Sequence, residues 1–106
     1  MGETIKLTSA ADGFEFSAYH ELPFTPRKGG VIVIQEIFGI DRHIRADVER
    51  WAKMGYEAIA PALFDRLQRD FHAEHDEAGI KAGKMRSEGK EYVVQEVDVM
   101  NYRFNV

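Results

Sequence analysis

The pattern of apolar and polar positions divides the chain into recognisable elements. Thr4-Ile5-Lys6-Leu7-Thr8 alternates with a period of two, as a half-buried strand does. After the Asp12-Gly13 turn signal, Phe14-Glu15-Phe16-Ser17-Ala18-Tyr19 alternates again, which predicts a β-hairpin whose aromatic face, Phe14, Phe16 and Tyr19, serves packing. Glu21 to Gly30, with Pro23, Pro26, Arg27 and Lys28, reads as a surface loop. Val31-Ile32-Val33-Ile34 follows, four β-branched residues with no polar interruption, the signature of a strand buried on both faces in the middle of a parallel sheet.

The strongest helix signal runs from Asp41, the expected N-cap, to Met54. Ile44, Val48, Trp51 and Ala52 fall on one stripe, with Trp51 as a core anchor, while Arg42, Arg45, Asp47, Glu49, Arg50 and Lys53 take the other face. Glu49 and Lys53 are spaced as an i,i+4 ion pair, and Gly55 stands where a glycine ends a helix. Tyr56-Glu57-Ala58-Ile59-Ala60 reads as a second interior strand stopped by Pro61. Strand, helix and strand in this order predict a right-handed βαβ unit with parallel strands. Leu67 to Lys90 is only loosely helical, because Gly79, Gly83 and Gly89 interrupt it. Glu91 to Val106 carries a helical stripe at Val93, Val97, Met100 and Phe104, although Tyr92, Val93, Val94, Val97 and Val99 are strand formers. The fold class expected is α/β, as one domain over residues 1–106: a hairpin, a βαβ unit and a C-terminal helical segment.

Composition narrows the function. With 106 residues, 44% hydrophobic and 30% charged, the chain is an ordinary globular one with room for one small core. A net charge of −4 gives no reason to expect nucleic acid or an anionic membrane as a partner. There is no apolar run of membrane-spanning length, and Met1-Gly2-Glu3-Thr4 lacks the features of a signal peptide, so the residues fit a cytoplasmic protein. The absence of cysteine excludes disulfides, thiolate metal sites and a cysteine nucleophile within these residues.

Candidate chemistry centres on Gln35-Glu36, directly after the apolar strand. In open α/β sheets the functional crevice lies beyond the carboxyl ends of the strands, so Glu36 is placed for chemistry; satisfying loop backbone donors is the other reading of the same residue. His72-Ala73-Glu74-His75-Asp76 spaces two imidazoles at i,i+3, but this is not a zincin spacing, and an exposed charged turn accounts for it. No metal or other cofactor is expected. Arg42, Arg45 and Arg50 are interleaved with Asp47 and Glu49, a solvated helix face rather than a phosphate site.

Gly30-Val31-Ile32-Val33-Ile34-Gln35-Glu36-Ile37-Phe38-Gly39, continued by His43-Ile44-Arg45, Trp51-Ala52, Gly55-Tyr56 and Ala60-Pro61-Ala62-Leu63-Phe64, resembles the first half of a dienelactone hydrolase. The match is continuous from about Gly29 to Arg66 and thinner elsewhere. The resemblance implies the α/β-hydrolase fold and hydrolysis of small esters or lactones through a cysteine on a strand-to-helix turn, with an aspartate and a histidine later in the chain. It further implies that Glu36 helps to ionise that nucleophile and that the Ile37 backbone N–H contributes to the oxyanion hole. The nucleophile is not among residues 1–106. Ser87 lacks the first glycine of a nucleophile elbow, and neither Asp98 nor any histidine matches the family's motifs.

The expectation is therefore an N-terminal portion of a hydrolase that is inactive alone. The strand Val31–Ile34 would then be an exposed apolar edge, inviting self-association or a complementing chain. A non-catalytic α/β binding or assembly module is the alternative, and a truncated gene product the third reading.

Overall fold

A computed structural model describes residues 2–87. The elements in chain order are β1 (Glu3–Thr8), β2 (Glu15–Glu21), β3 (Gly29–Ile32), α1 (Arg42–Lys53), β4 (Tyr56–Pro61) and α2 (Glu77–Ser87). They form a mixed four-stranded sheet of order β1-β2-β4-β3. β1 and β2 are antiparallel, as the hairpin signal requires, with Thr4 opposite Tyr19 and Leu7 opposite Phe16. β2 runs antiparallel to β4, and β3 runs parallel to β4 with Val31 opposite Ala58. The βαβ unit is thus present, and the α/β class holds.

Two expectations need correction. The strand is Gly29–Ile32 rather than Val31–Ile34, although within the described residues it is the sheet edge expected of an N-terminal portion, with Val31, Ile32 and Val33 half-buried and Ile34 59% exposed. Val33 extends the ladder by one N–H, donated to Ile59 O at 2.8 Å. The four apolar residues match an interior position that this sheet does not fill. Trp51 is likewise not a core anchor. It lies at the surface, edge-on to Tyr56 at 5.6 Å between ring centroids, and the buried residues of α1 are Ile44, Val48 and Ala52. Trp51 stands at the rim of the stripe, where the sheet ends.

The core forms where α1 lies on the sheet. Ile44 and Val48 meet Tyr19, Ala58 and Ala60, with Ile40 and Ala62 closing the end nearest the carboxyl termini of β3 and β4. Burying a side chain the size of Ile44 or Val48 contributes roughly 1.5–3 kcal/mol, enough to hold a short helix that propensity alone would not. Small alanines on β4 let the helix approach closely. Alternation puts Phe16 and Ala18 on the face opposite Tyr19, so the predicted aromatic face is split between the two sides of the sheet. Phe14 is half-buried under the guanidinium groups of Arg66 and Arg69, at 4.6 and 4.7 Å.

Glu49 does not use the i,i+4 geometry with Lys53 as its main contact; it accepts a 2.6 Å hydrogen bond from the Tyr19 hydroxyl. Burial, and then this bond to Glu49, pushes the Tyr19 hydroxyl from 10.0 up to about 12. The same bond holds the Glu49 carboxyl below its ordinary value. A raised folded-state pKa contributes stability that is complete below the unfolded value and lost as pH rises through the folded one. Denaturant unfolding should therefore show a stability loss between pH 10.0 and about 12 that Tyr19→Phe removes; identical alkaline profiles for parent and variant would contradict this assignment.

The loosely helical stretch contains α2, which begins at Glu77 with the Asp76 carboxylate accepting the Gly79 N–H at 2.8 Å. The helix expected over Glu91–Val106 lies outside the described residues.

Candidate active site

The carboxyl end of β3 leads into a loop whose backbone is fixed from several directions. Asp41 caps α1: it has extended backbone angles, and its Oδ1 accepts the Ile44 N–H at 3.0 Å. Gln35 ties the other end down. Its Oε1 accepts the Leu63 N–H at 2.9 Å, just past β4, and its Nε2 donates to Glu36 O at 3.2 Å. The turn closes with the Gly39 N–H donating to Glu36 O at 3.2 Å. The polar member of the Gln-Glu pair that serves the backbone is thus Gln35, which leaves Glu36 without that task.

Glycine explains how the later segments press on this loop. Gly39 has φ +73, and a Cβ there would stand 2.1 Å from Phe71 O. That close approach lets residues 71–75 run across the loop, with the Ala73 N–H donating to Phe38 O at 2.9 Å. α2 arrives on the other side through Gly83, where a Cβ would lie 2.0 Å from Ile37 O. One of the glycines that weaken the helix signal in the sequence, Gly83, is the contact by which α2 reaches Ile37.

This scaffold presents Glu36 exposed at the end of β3, as expected from position. Among the described residues its carboxylate takes no hydrogen bond, and the Ile37 N–H donates to none of them. Glu36 lines a small recess of about 30 Å³ with Phe38, Asp41, His43, Asp47 and His75. Beside it a shallower cavity of about 280 Å³ runs between the start of α1 and residues 72–75. Neither described serine side chain enters the recess: Ser9 is buried in the hairpin turn and Ser17 Oγ donates to Asp70 Oδ1 at 3.4 Å. Arg50 pairs with Asp47 at 2.6 Å and Arg45 lies 5.5 Å over the Tyr19 ring, which leaves the arginine face of α1 as the solvated surface read from the sequence.

The i,i+3 spacing of His72 and His75 has no helical meaning, since both precede α2. His72 Nδ1 contacts Asp70 O at 3.1 Å, whereas His75 turns to Asp41, its Nε2 2.7 Å from Oδ2, and stacks on Phe38. Asp41, His43 and His75 converge although more than thirty residues separate the last from the other two. No local pattern in the sequence could have shown that grouping. Asp65 is a second unforeseen anchor: buried, it accepts the Ser17 N–H at 2.7 Å and the Asp70 N–H at 2.9 Å, fixing the turn that follows β4.

Comparison with known proteins bears on the family and the fold. A Synechocystis protein named as a carboxymethylenebutenolidase is 54% identical over 54 residues, covering 51% of this chain and 22% of its own length. A solved structure from Klebsiella pneumoniae, named as a dienelactone hydrolase, superposes with a TM-score of 0.50 at 34% identity, over 70% of this chain and 32% of that one. The chain thus spans a third or less of these relatives. A shorter likeness of another kind also occurs: the ribosome-binding ATPase YchF of Pasteurella multocida is 60% identical over 38 residues, 35% of this chain and 10% of the ATPase. No helix among the described residues is long and apolar enough to cross a membrane. The family model for the dienelactone hydrolases matches residues 16–104, most of the sequence, and the chain belongs to the dienelactone hydrolase family.

Proposed function

We propose that this chain supplies the N-terminal part of a carboxylic ester or lactone hydrolase, contributing Glu36 and the Ile37 N–H to an acyl-transfer site whose nucleophile comes from outside residues 1–106. The observation that supports it is the presentation of Glu36: a glutamate at the carboxyl end of a parallel strand, in a loop braced by Gln35, Asp41 and residues 71–75, and free of any structural hydrogen bond among the described residues. A carboxylate held there favours ionisation of an adjacent thiol by accepting its proton, and a fixed N–H beside it stabilises the oxyanion of the tetrahedral intermediate. Residues 1–106 alone hold no group that forms the acyl-enzyme, so purified 1–106 should hydrolyse a p-nitrophenyl ester no faster than buffer. Turnover that Glu36→Gln abolishes would contradict this.

The same reading assigns the side of β3 that is unpaired among the described residues to a strand of another segment. Ile34, exposed by 59%, and the half-buried Val31–Val33 make it an apolar edge of the kind soluble proteins cover. Copies of the chain should therefore pair along β3, giving concentration-dependent mass in sedimentation equilibrium that a lysine at Ile34 reduces. A monomer at every concentration, with protected β3 amides, would refute it.

A second reading rests on the short ATPase likeness. This reading places the 38-residue segment shared with a ribosome-binding ATPase after Arg66, where the hydrolase motif residues end. On this reading the chain is composite, an incomplete hydrolase sheet joined to a segment of different origin. The family model's reach to residue 104 favours the first reading. Co-sedimentation with ribosomes, retained on removal of residues 2–66, would favour the second.

A further inference from the structure

We propose that Asp41, His43 and His75 bind one divalent transition-metal ion of the zinc class. One donor atom from each of the three residues lies within 4.8 Å of the other two. Tetrahedral coordination at roughly 2.0–2.2 Å per bond needs donors about 3.3–3.6 Å apart, so side-chain rotation of the exposed histidines closes the set without moving the backbone. Two imidazoles and a carboxylate form a donor set suited to zinc, cobalt and nickel and not to magnesium or calcium.

The positions are held independently of any ion. Asp41 is buried, and its Oδ1 is committed to the Ile44 N–H at 3.0 Å, which leaves Oδ2 facing His75 Nε2 at 2.7 Å. This cap bond is the kind of orienting partner that fixes a ligating carboxylate. His75 is placed by stacking on Phe38, with centroids 3.7 Å apart and planes 17° from parallel, and by the Ala73 bond to Phe38 O. His43 stands in the first turn of α1 with its ring centroid 4.5 Å from that of His75.

The plainer explanation is that Asp41 and His75 are only an ion pair tying down the 71–75 segment. That accounts for two of the three residues. It leaves His43 unexplained: exposed, it sets its ring 4.5 Å from that of His75 and makes no hydrogen bond among the described residues. The helix N-terminus, Arg42 and Arg45 oppose a cation here. Against them stand the carboxylates of Glu36, Asp41 and Asp47 around the recess and that of Glu74 in the neighbouring cavity. Direct bonds to three protein ligands outweigh a terminal dipole that acts only through space, and water completes the coordination sphere beside Glu36.

Calorimetry with zinc chloride and visible absorption with cobalt chloride, on purified residues 1–106, test this. One ion per chain is expected, with the d–d bands of low-coordinate cobalt. His43→Ala and His75→Ala should each weaken binding by roughly 100-fold, at least the loss that follows removal of an orienting partner. Asp41→Asn keeps a good N-cap while removing the charge, and should weaken binding similarly in a chain whose circular dichroism is unchanged. His72→Ala should leave the affinity alone. Absence of stoichiometric binding up to about 1 mM zinc, an affinity of only about −4 kcal/mol, would overturn the proposal. So would binding that survives the His43→Ala/His75→Ala double variant, or that His72→Ala weakens equally.

Discussion

Glu57→Ala should lower the stability of the chain by about 3 kcal/mol, the lower end of the roughly 3–5 kcal/mol that follows loss of one partner from a buried ion pair. Glu57 is 1% exposed, near the start of β4, and both its oxygens are occupied: Oε2 lies 2.7 Å from His20 Nε2, and Oε1 accepts the Arg27 Nε–H at 3.2 Å. The lower end applies because the side chains of His20 and Arg27 keep 12% and 23% exposure, so water can partly solvate what the substitution strands. The cluster has consequences beyond β4. Arg27 belongs to the loop that enters β3, and that loop is also tied to the end of α1 by the Phe24 N–H to Ala52 O at 3.0 Å and the Lys28 N–H to Gly55 O at 2.8 Å. Glu57→Gln preserves shape and one acceptor, and should cost about half as much. Urea unfolding of the two variants measures both. A loss below about 1 kcal/mol for the alanine variant would mean that solvent, not burial, sets the strength of the cluster.

Gly39→Ala should destabilise by a similar amount, about 3 kcal/mol, and change the site as well. A left-handed backbone costs an alanine about 1–2 kcal/mol. The added Cβ would also stand 2.1 Å from Phe71 O, a backbone atom that cannot rotate away. Relief requires residues 71–75 to lift from the loop, which breaks the Ala73–Phe38 bond and withdraws His75 from Asp41. Hydrogen exchange reads this directly, since the Ala73 amide should lose its protection while the β4 amides keep theirs. An alanine variant as stable as the parent, with Ala73 still protected, would contradict the close approach.

These two sites mark the boundary of what the sequence discloses. The hairpin, α1 with its Asp41 cap, and the parallel β3–β4 pairing were all legible, because each follows from local periodicity or a cap residue acting on its own neighbours. The position of Glu36 was legible for the same reason, as the end of an apolar run. What escaped depends on where distant segments meet. Val31–Ile34 has the composition of an interior strand, and its place at an edge followed only from the family resemblance, since composition alone carries no information on whether a neighbour is present to cover it. Trp51 falls on the helical stripe but sits at its rim, edge-on to Tyr56 at the start of β4. Gly79 and Gly83 count against a helix by propensity, while the need that selects Gly83, close passage over Ile37, exists only after the chain has folded. The buried Glu57 looks like any strand glutamate until His20 and Arg27 converge on it. The grouping of Asp41 and His43 with His75 is likewise a property of the fold alone.

The most direct measurement of the functional reading is ester hydrolysis by residues 1–106 mixed with the C-terminal part of a dienelactone hydrolase relative, the part in which the family resemblance implies a cysteine, an aspartate and a histidine. The mixture should form a defined complex and hydrolyse a p-nitrophenyl ester, while neither piece does so alone. Iodoacetamide should stop the reaction, and Glu36→Gln should slow it by roughly 10²-fold, the range for loss of a group that assists the nucleophile. A folded complex that hydrolyses nothing, or one whose rate is indifferent to Glu36→Gln, would contradict the assignment of Glu36 and its loop to the acyl-transfer site.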